Sequence, residues 1–379
     1  MKLDANVKCL FDLFKLCNKK LYIVGGAVRD YLLGNESYDY DFTTDATPFE
    51  IIEMLHEYQL DTYQKDLGSV KVHIDNNIYE ITTMRKEYGV INNRYPEKVV
   101  FVKDFKEDVL RRDFTCNAIG FNPDEGVVDY LDGIDDINKK LIKFIIDPAE
   151  SISLDPIRLI RALRFCKTLG FEVDESTYKI MVNNAHKVSL LGVIRFNELF
   201  RLISLDDSYE FIKKHFSIYT DAFPEIEKDL FIKLLNNKIN YKLFKIAICF
   251  ITKIYISLTK QELNILSALD EVNKYEQSLY NTKLLLIKYQ NNLEPVLEIL
   301  SALGYNVEEF VNNLSIIRSE NHALYIKDLK ITYLDLENLN IDKKYYSKVL
   351  KHLLNEVLLD NSKNTKEILI ECLKSTPNI

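Results

Sequence analysis

Short apolar runs dominate the first hundred residues, and each reads as a strand. Leu21-Tyr22-Ile23-Val24 is continuous and predicts a buried strand, while Val70-Lys71-Val72-His73-Ile74 and Ile78 to Thr83 alternate with a period of two. Val99-Val100-Phe101-Val102 predicts a further strand. Between them, Pro48 to Tyr58 predicts a helix with proline near its first turn. From about Asp155 the spacing turns helical. Leu159, Ala162, Leu163, Cys166 and Leu169 make one apolar stripe, with Gly170 as its C-cap. Asp155-Pro156 predicts the start of that helix, Asp as N-cap and Pro at the first helical position. Ten of the eleven glycines lie at or before Gly192, so the remainder, rich in Leu, Ile, Lys and Asn, predicts an all-helical region. The expected class is α+β, a mixed-sheet head followed by helices.

Composition narrows the function classes. With 47% hydrophobic and 28% charged residues over 379 positions, the chain is ordinary for a water-soluble protein of two to four units. No apolar run reaches the roughly 18 to 20 residues that span a bilayer. The opening Met1 to Lys8 lacks the apolar core of a signal peptide. A cytoplasmic setting with no membrane partner and no evident obligate protein partner is expected. The six cysteines are scattered without a C-x-x-C pair, the pattern of reduced thiols. A net charge of −8 argues against a uniformly basic nucleic-acid surface. A local basic track nonetheless runs through Arg111-Arg112, Lys139-Lys140, Lys143, Arg158, Arg161, Arg164 and Lys167.

The chemistry concentrates in four places. The strand Tyr22-Ile23-Val24 enters the turn Gly25-Gly26 and leaves as a helix carrying Arg29. Glycine lets a phosphate approach the backbone, helix N–H groups favour an anion, and an arginine adds a charge-assisted bond. Twelve residues separate Gly26 from Asp39-Tyr40-Asp41, whose two carboxylates share one face of a strand. Two such carboxylates repel unless divalent cations neutralise them, the arrangement of two-metal hydroxyl activation. Glu80, on an alternating strand, is a candidate third carboxylate that helps deprotonate an attacking hydroxyl. Arg112 and Asn117, within Arg111-Arg112-Asp113-Phe114-Thr115-Cys116-Asn117, suit triphosphate and ribose contacts. Asp155 and Arg158 sit three apart on one helical face with Arg161 and the more displaced Arg164. A carboxylate beside a guanidinium matches the amino group and ring nitrogen that cytosine and adenine both present; uracil and guanine reverse that pattern.

In order and spacing these stretches resemble the bacterial class II tRNA nucleotidyltransferase and poly(A) polymerase family, within the DNA polymerase β-like nucleotidyltransferases. The resemblance runs from Val24-Gly25-Gly26-Ala27-Val28-Arg29-Asp30 through Asp39 to Thr44, Tyr79 to Arg85, Arg111 to Ala118, Asp129 to Asp136, and Asp155 to Phe165. It implies a nucleotidyltransferase head (1–145), a neck with the nucleotide-reading helix (146–205), a helical body (206–300) and a tRNA-binding tail (301–379). It also implies Mg²⁺ on Asp39 and Asp41, and CTP or ATP held by Gly25, Gly26, Arg29, Arg112 and Asn117. Asp155, Arg158, Arg161 and Arg164 would form the base pocket, and the tRNA 3′ end would be the acceptor. Leu154, Ile194 and Leu67 stand where the family usually has Glu, Glu and His. Because Arg85 to Pro96 resembles the loop that A-adding members retain, full CCA addition is expected; A-only addition and poly(A) synthesis are the alternatives.

Overall fold

A computed structural model of the chain describes residues 1–37, 39–256 and 258–375. It divides into two compact units, Met1–Pro224 and Glu225–Ile379. The expected head and neck lie together in the first, and the boundary falls inside the segment expected as a body.

In the first unit, α1 (Ala5–Leu16) precedes β1 (Leu21–Val24), α2 (Gly26–Leu32), β2 (Asp41–Thr44), α3 (Pro48–Met54) and β3 (Gln59–Asp61). The strands β4 (Ser69–Ile74), β5 (Asn77–Thr83), β6 (Arg85–Tyr88), β7 (Lys98–Phe101), β8 (Gly120–Asn122) and β9 (Gly126–Val128) follow, with α4 (Phe105–Asp108) between β7 and β8. Among the described residues seven strands form one mixed sheet in the order β3-β4-β5-β2-β1-β8-β9. All four residues of β1 are buried, as their continuous apolar run requires. On one side α1 buries Val7, Leu10, Phe11 and Phe14, and Phe11 meets Phe42 of β2 edge-on, ring centroids 6.0 Å apart.

The pairing that matters most is parallel. β2 lies beside β5 with Asp41 directly opposite Glu80, while the remaining ladders of this sheet are antiparallel. Its register brings two acidic positions 39 residues apart in sequence to adjacent strands at one level.

Three expectations need correction. The helix expected over Pro48 to Tyr58 ends at Met54, although its capping box between Thr47 and Glu50 is complete. His56 Nδ1 lies 2.8 Å from the Glu53 carbonyl oxygen, and Gln59–Asp61 is drawn out into β3 by pairing with Lys71–His73 of β4. Cross-strand bonding there outweighs helix propagation. Of the run Val99 to Val102, the first three residues lie in β7, which pairs with β6 in a separate hairpin rather than joining the main sheet. The loop expected from Arg85 therefore begins as a strand. Finally, β2 starts at Asp41, so Asp39 and Tyr40 lead into the strand rather than lying within it.

After β9 come α5 (Gly133–Asn138), α6 (Pro148–Leu154), α7 (Ile157–Leu169), α8 (Glu175–Asn184) and α9 (Ile194–Ile203). Gly170 closes α7 with φ 67°, a left-handed C-cap as expected. The opening is displaced by one residue: Pro156 holds the cap position, and Asp155 Oδ1 accepts from the Ile157 amide at 3.3 Å. The cause is crowding, since Asp155 is also the C-cap of α6. Among the described residues, Glu225 onward is helical wherever it has regular structure, with capping boxes at Thr259/Glu262 and Thr332/Asp335. Within that unit the buried Lys283 donates to the Leu358 carbonyl at 2.9 Å, tying two of its helices together. Among the described residues no helix is long and apolar enough to cross a membrane.

Candidate functional site

Three carboxylates meet at the leading end of β2. Asp41 begins the strand, Asp39 lies two residues before it, and Glu80 faces Asp41 across the parallel ladder. Burial raises the Asp41 carboxyl to about 6, and the charges of Asp39 and Glu80 push in the same direction. Arg112 and Lys71 oppose that rise. Glu80 is steadied by Ser69 Oγ, which donates at 2.6 Å, and by Lys71 Nζ at 3.7 Å. Oxygen-only donors with unrelieved like charge suit a hard divalent cation. Among the described residues no group of three or more His, Cys, Asp or Glu is arranged to hold an ion alone. The pair Asp39/Asp41 fits the other mode, in which one or two carboxylates share an ion with substrate phosphates.

Beside this cluster β1 turns into α2. Gly25 adopts φ 74°, ψ −136°, a region that side-chain-bearing residues rarely enter, so glycine is required there. The buried Arg29 guanidinium lies against Gly26, where an added Cβ would sit 3.5 Å from Nη2. Arg29 donates to Asp30 at 2.7 and 2.9 Å and through Nη1 to Asn117 Oδ1 at 2.7 Å. Asn117 donates in turn to Asp113 at 3.2 Å, and Asp113 accepts from Arg161 at 2.6 and 2.9 Å. A polar chain thus runs from the glycine turn to α7. Burial works against the Asp113 charge, yet Arg161 and Asn117 hold its carboxyl below the usual carboxylate range.

A second cluster centres on Asp108, whose side chain is fully buried. It accepts from Arg111 Nε at 2.8 Å, from Arg112 Nη2 at 3.0 Å and from the Arg85 amide at 3.1 Å. Both adjacent arginines therefore converge on one carboxylate. Arg112 keeps a buried Nε with no hydrogen-bond partner, an orphaned donor close enough to Asp41 to influence its charge.

The start of α7 faces the β6–β7 hairpin across a cleft of about 400 Å³, lined by Tyr88, Arg94, Arg111, Leu154, Asp155 and Arg158 among others. Burial raises the Asp155 carboxyl; Arg94 and then Arg158 oppose the shift. Arg158 donates to Ser151 Oγ at 2.9 Å and to the Arg111 carbonyl at 2.7 Å rather than pairing directly with Asp155. Arg164 is held by Glu198 of α9 at 2.7 Å.

The structure thus gathers Gly25, Gly26, Arg29, Asn117 and Arg161 along one polar chain. Asp39, Asp41 and Glu80 form a second group, and Asp155 and Arg158 share the cleft. Arg94 lies in a stretch singled out by motif but carries no role in that reading, and Asp108 and Glu198 carry none either. Asp108 had a signal, since its i+3 and i+4 neighbours are both arginines. Glu198 had none, because 34 residues separate it from Arg164.

The family model for the poly A polymerase head domain matches residues 21–143. A CCA-adding enzyme of Staphylococcus epidermidis is 33% identical over 388 residues, covering 94% of this chain and 94% of that protein. One from a bovine strain of Staphylococcus aureus is 33% identical over 290 residues, 72% of this chain and 70% of that protein. Among solved structures, the Bacillus stearothermophilus CCA-adding enzyme in complex with CTP superposes with a TM-score of 0.64 at 20% identity, covering 98% and 99% of the two chains. The Thermotoga maritima CCA-adding enzyme complexed with tRNA gives 0.64 at 20% identity, covering 98% and 96%. At these identities the two structures speak to the fold alone.

The Asp108 cluster sets a stability test with a defined sign. Burial raises this carboxyl, but Arg112 and Arg111 overcome that and hold it below its unfolded value. Its stabilisation is therefore present above the unfolded pKa of roughly 3.9 and is lost as pH falls through the lower folded value. Asp108→Asn should cost about 3 kcal/mol at pH 7 by urea denaturation, because two arginines lose their shared anion. The gap from the wild type should narrow below about pH 4. A gap independent of pH would contradict the assignment.

Proposed function

We propose, from the premise that this chain belongs to the CCA-adding enzyme family of tRNA nucleotidyltransferases, that it adds C, C and A to the 3′ end of tRNA. CTP and ATP are the substrates, no nucleic-acid template is used, and pyrophosphate leaves at each step. The observation that carries this reading is the pair Asp39/Asp41 in one compact unit with Asp155 and Arg158, on a chain that matches a CCA-adding relative over 94% of its length.

Asp39 and Asp41 would hold Mg²⁺, which when bound supplies charge neutralisation at the reacting phosphate and lowers the pKa of the attacking hydroxyl. The raised Asp41 carboxyl supports this: desolvation is the larger cause, and the charges of Asp39 and Glu80 add a repulsion that a cation would relieve. Arg112, whose charge already acts on Asp41, offers a guanidinium to a phosphate oxygen, and Arg29, beside Gly26, offers a second. Glu80, opposite Asp41, accepts the proton of the tRNA 3′ hydroxyl in this reading. The hydroxyl oxygen then bonds to the α-phosphorus as the bond to pyrophosphate breaks.

Asp155 and Arg158 read the base. Asp155 accepts from the exocyclic amino group, and Arg158 donates to the neighbouring ring nitrogen. Arg158 already spends donors on Ser151 and Arg111, but a guanidinium carries five, so donors remain. Uracil and guanine present the reverse pattern and would leave both groups unpaired in a partly buried site. Arg161 and Arg164 complete the pocket.

Two outcomes test the site. Asp39→Ala and Asp41→Ala should each reduce nucleotide incorporation to background while tRNA affinity, measured by filter binding, stays within about threefold. Normal incorporation by both would sink the metal assignment. Asp155→Ala should erase most of the ~10⁴-fold preference that a hydrogen-bonding site confers, or abolish CTP and ATP use together; wild-type selectivity would rule out the pair. The reaction itself is tested with tRNA transcripts ending before CCA, after C and after CC, given labelled CTP and ATP. Three additions and a stop are expected. Addition of only the last A would make it an A-adder, and a long A ladder a polymerase.

A further inference from the structure

We propose that Phe165 is a positioning residue whose ring sets the guanidinium groups of Arg29, Arg161 and Arg164 for the incoming nucleotide; the role rests on the nucleotide-site reading above. The three guanidinium carbons lie 5.2, 5.5 and 4.3 Å from the centre of this single ring. Arg29 comes from α2, while Arg161 and Arg164 share α7 with Phe165, so the ring is where the glycine turn and the reading helix meet. The ring is buried and packs edge-on against Phe114 at 5.7 Å and 85°, which fixes its orientation.

The chemistry explains why an aromatic residue stands there. Each guanidinium is tied to a carboxylate: Arg29 to Asp30 at 2.7 Å, Arg161 to Asp113 at 2.6 Å and Arg164 to Glu198 at 2.7 Å. Arg29 is held at a second edge by Asn117, whereas the single edge contacts of Arg161 and Arg164 leave their planes to swing about that edge. A ring face restrains the plane through its quadrupole, worth more as the contact is desolvated. It does so without consuming an N–H donor and without cancelling the positive charge. A further carboxylate at this place would do both, and would compete with an anionic substrate. A branched aliphatic residue would fill the space but attract none of the three cations.

The test uses the full chain carrying Phe165→Leu or Phe165→Tyr, with Phe144→Leu as a core control. Phe144 packs on the same Phe114 ring at 5.0 Å. Phe165→Leu should raise the KM for CTP and for ATP by about tenfold, while kcat and tRNA affinity stay within about threefold. Phe165→Tyr, which keeps the ring, should restore both KM values. Phe144→Leu should lower the melting temperature without moving either KM. If Phe165→Leu does not fold, Phe165→Met takes its place as the ring-free variant of similar bulk. Unchanged KM values in the ring-free variant would overturn the proposal. So would an equal rise in Phe144→Leu or a failure of Phe165→Tyr to rescue, because either reduces the effect to packing. A wild type that adds no nucleotide to any tRNA would instead overturn the site reading itself.

Discussion

Like charge held together is the constraint on which the head of this protein depends. β2 and β5 run parallel, and their register sets Glu80 beside Asp41 while Asp39 closes in from the preceding residues. Desolvation and the charges of Asp39 and Glu80 lift the Asp41 carboxyl to about 6. Such an arrangement stores unfavourable electrostatic energy that a hydrophobic or mixed-charge edge would not. The surrounding sheet tolerates it because β1 and β2 are otherwise buried and paired on both sides. In the proposed function, a cation arriving with substrate phosphate would relieve that energy.

A second theme is how guanidinium groups are kept available. Arg29, Arg111, Arg112, Arg161 and Arg164 each have at least one carboxylate partner within 3.0 Å. Pairing fixes their positions and limits the cost of placing several cations in one region. The Arg29–Asn117–Asp113–Arg161 chain also joins the turn next to the carboxylates to the helix that carries Arg158. The residues proposed for phosphate and for base are thereby held on one connected frame, although they come from distant parts of the sequence.

Much of this was legible in the sequence where a local rule applies. The apolar run of β1, the glycine turn, the period-two strands β4 and β5 and the Gly170 cap all follow from patterns a few residues long. The failures share a cause, which is competition from a neighbouring element for the same residues. The helix beginning at Pro48 stops early because β4 claims Gln59–Asp61, and Asp155 is displaced from its N-cap role because it also ends α6. Asp155 and Arg158, expected on one helical face, both line one cleft, but Asp155 lies before α7 and Arg158 bonds to Ser151 and Arg111. No spacing rule reveals that Asp41 lies opposite Glu80, or that Glu198 holds Arg164, since each depends on the finished topology.

The central claim is that Asp39 and Asp41 form half of a metal site that substrate phosphates complete. Titration of Mn²⁺ as a paramagnetic stand-in for Mg²⁺, with and without a non-hydrolysable CTP analogue, tests it most directly. The account predicts weak binding by the protein alone, tight binding when the analogue is present, and loss of that tight binding in Asp41→Asn. Tight Mn²⁺ binding that is indifferent to the analogue, or that survives unchanged in Asp41→Asn, would contradict it.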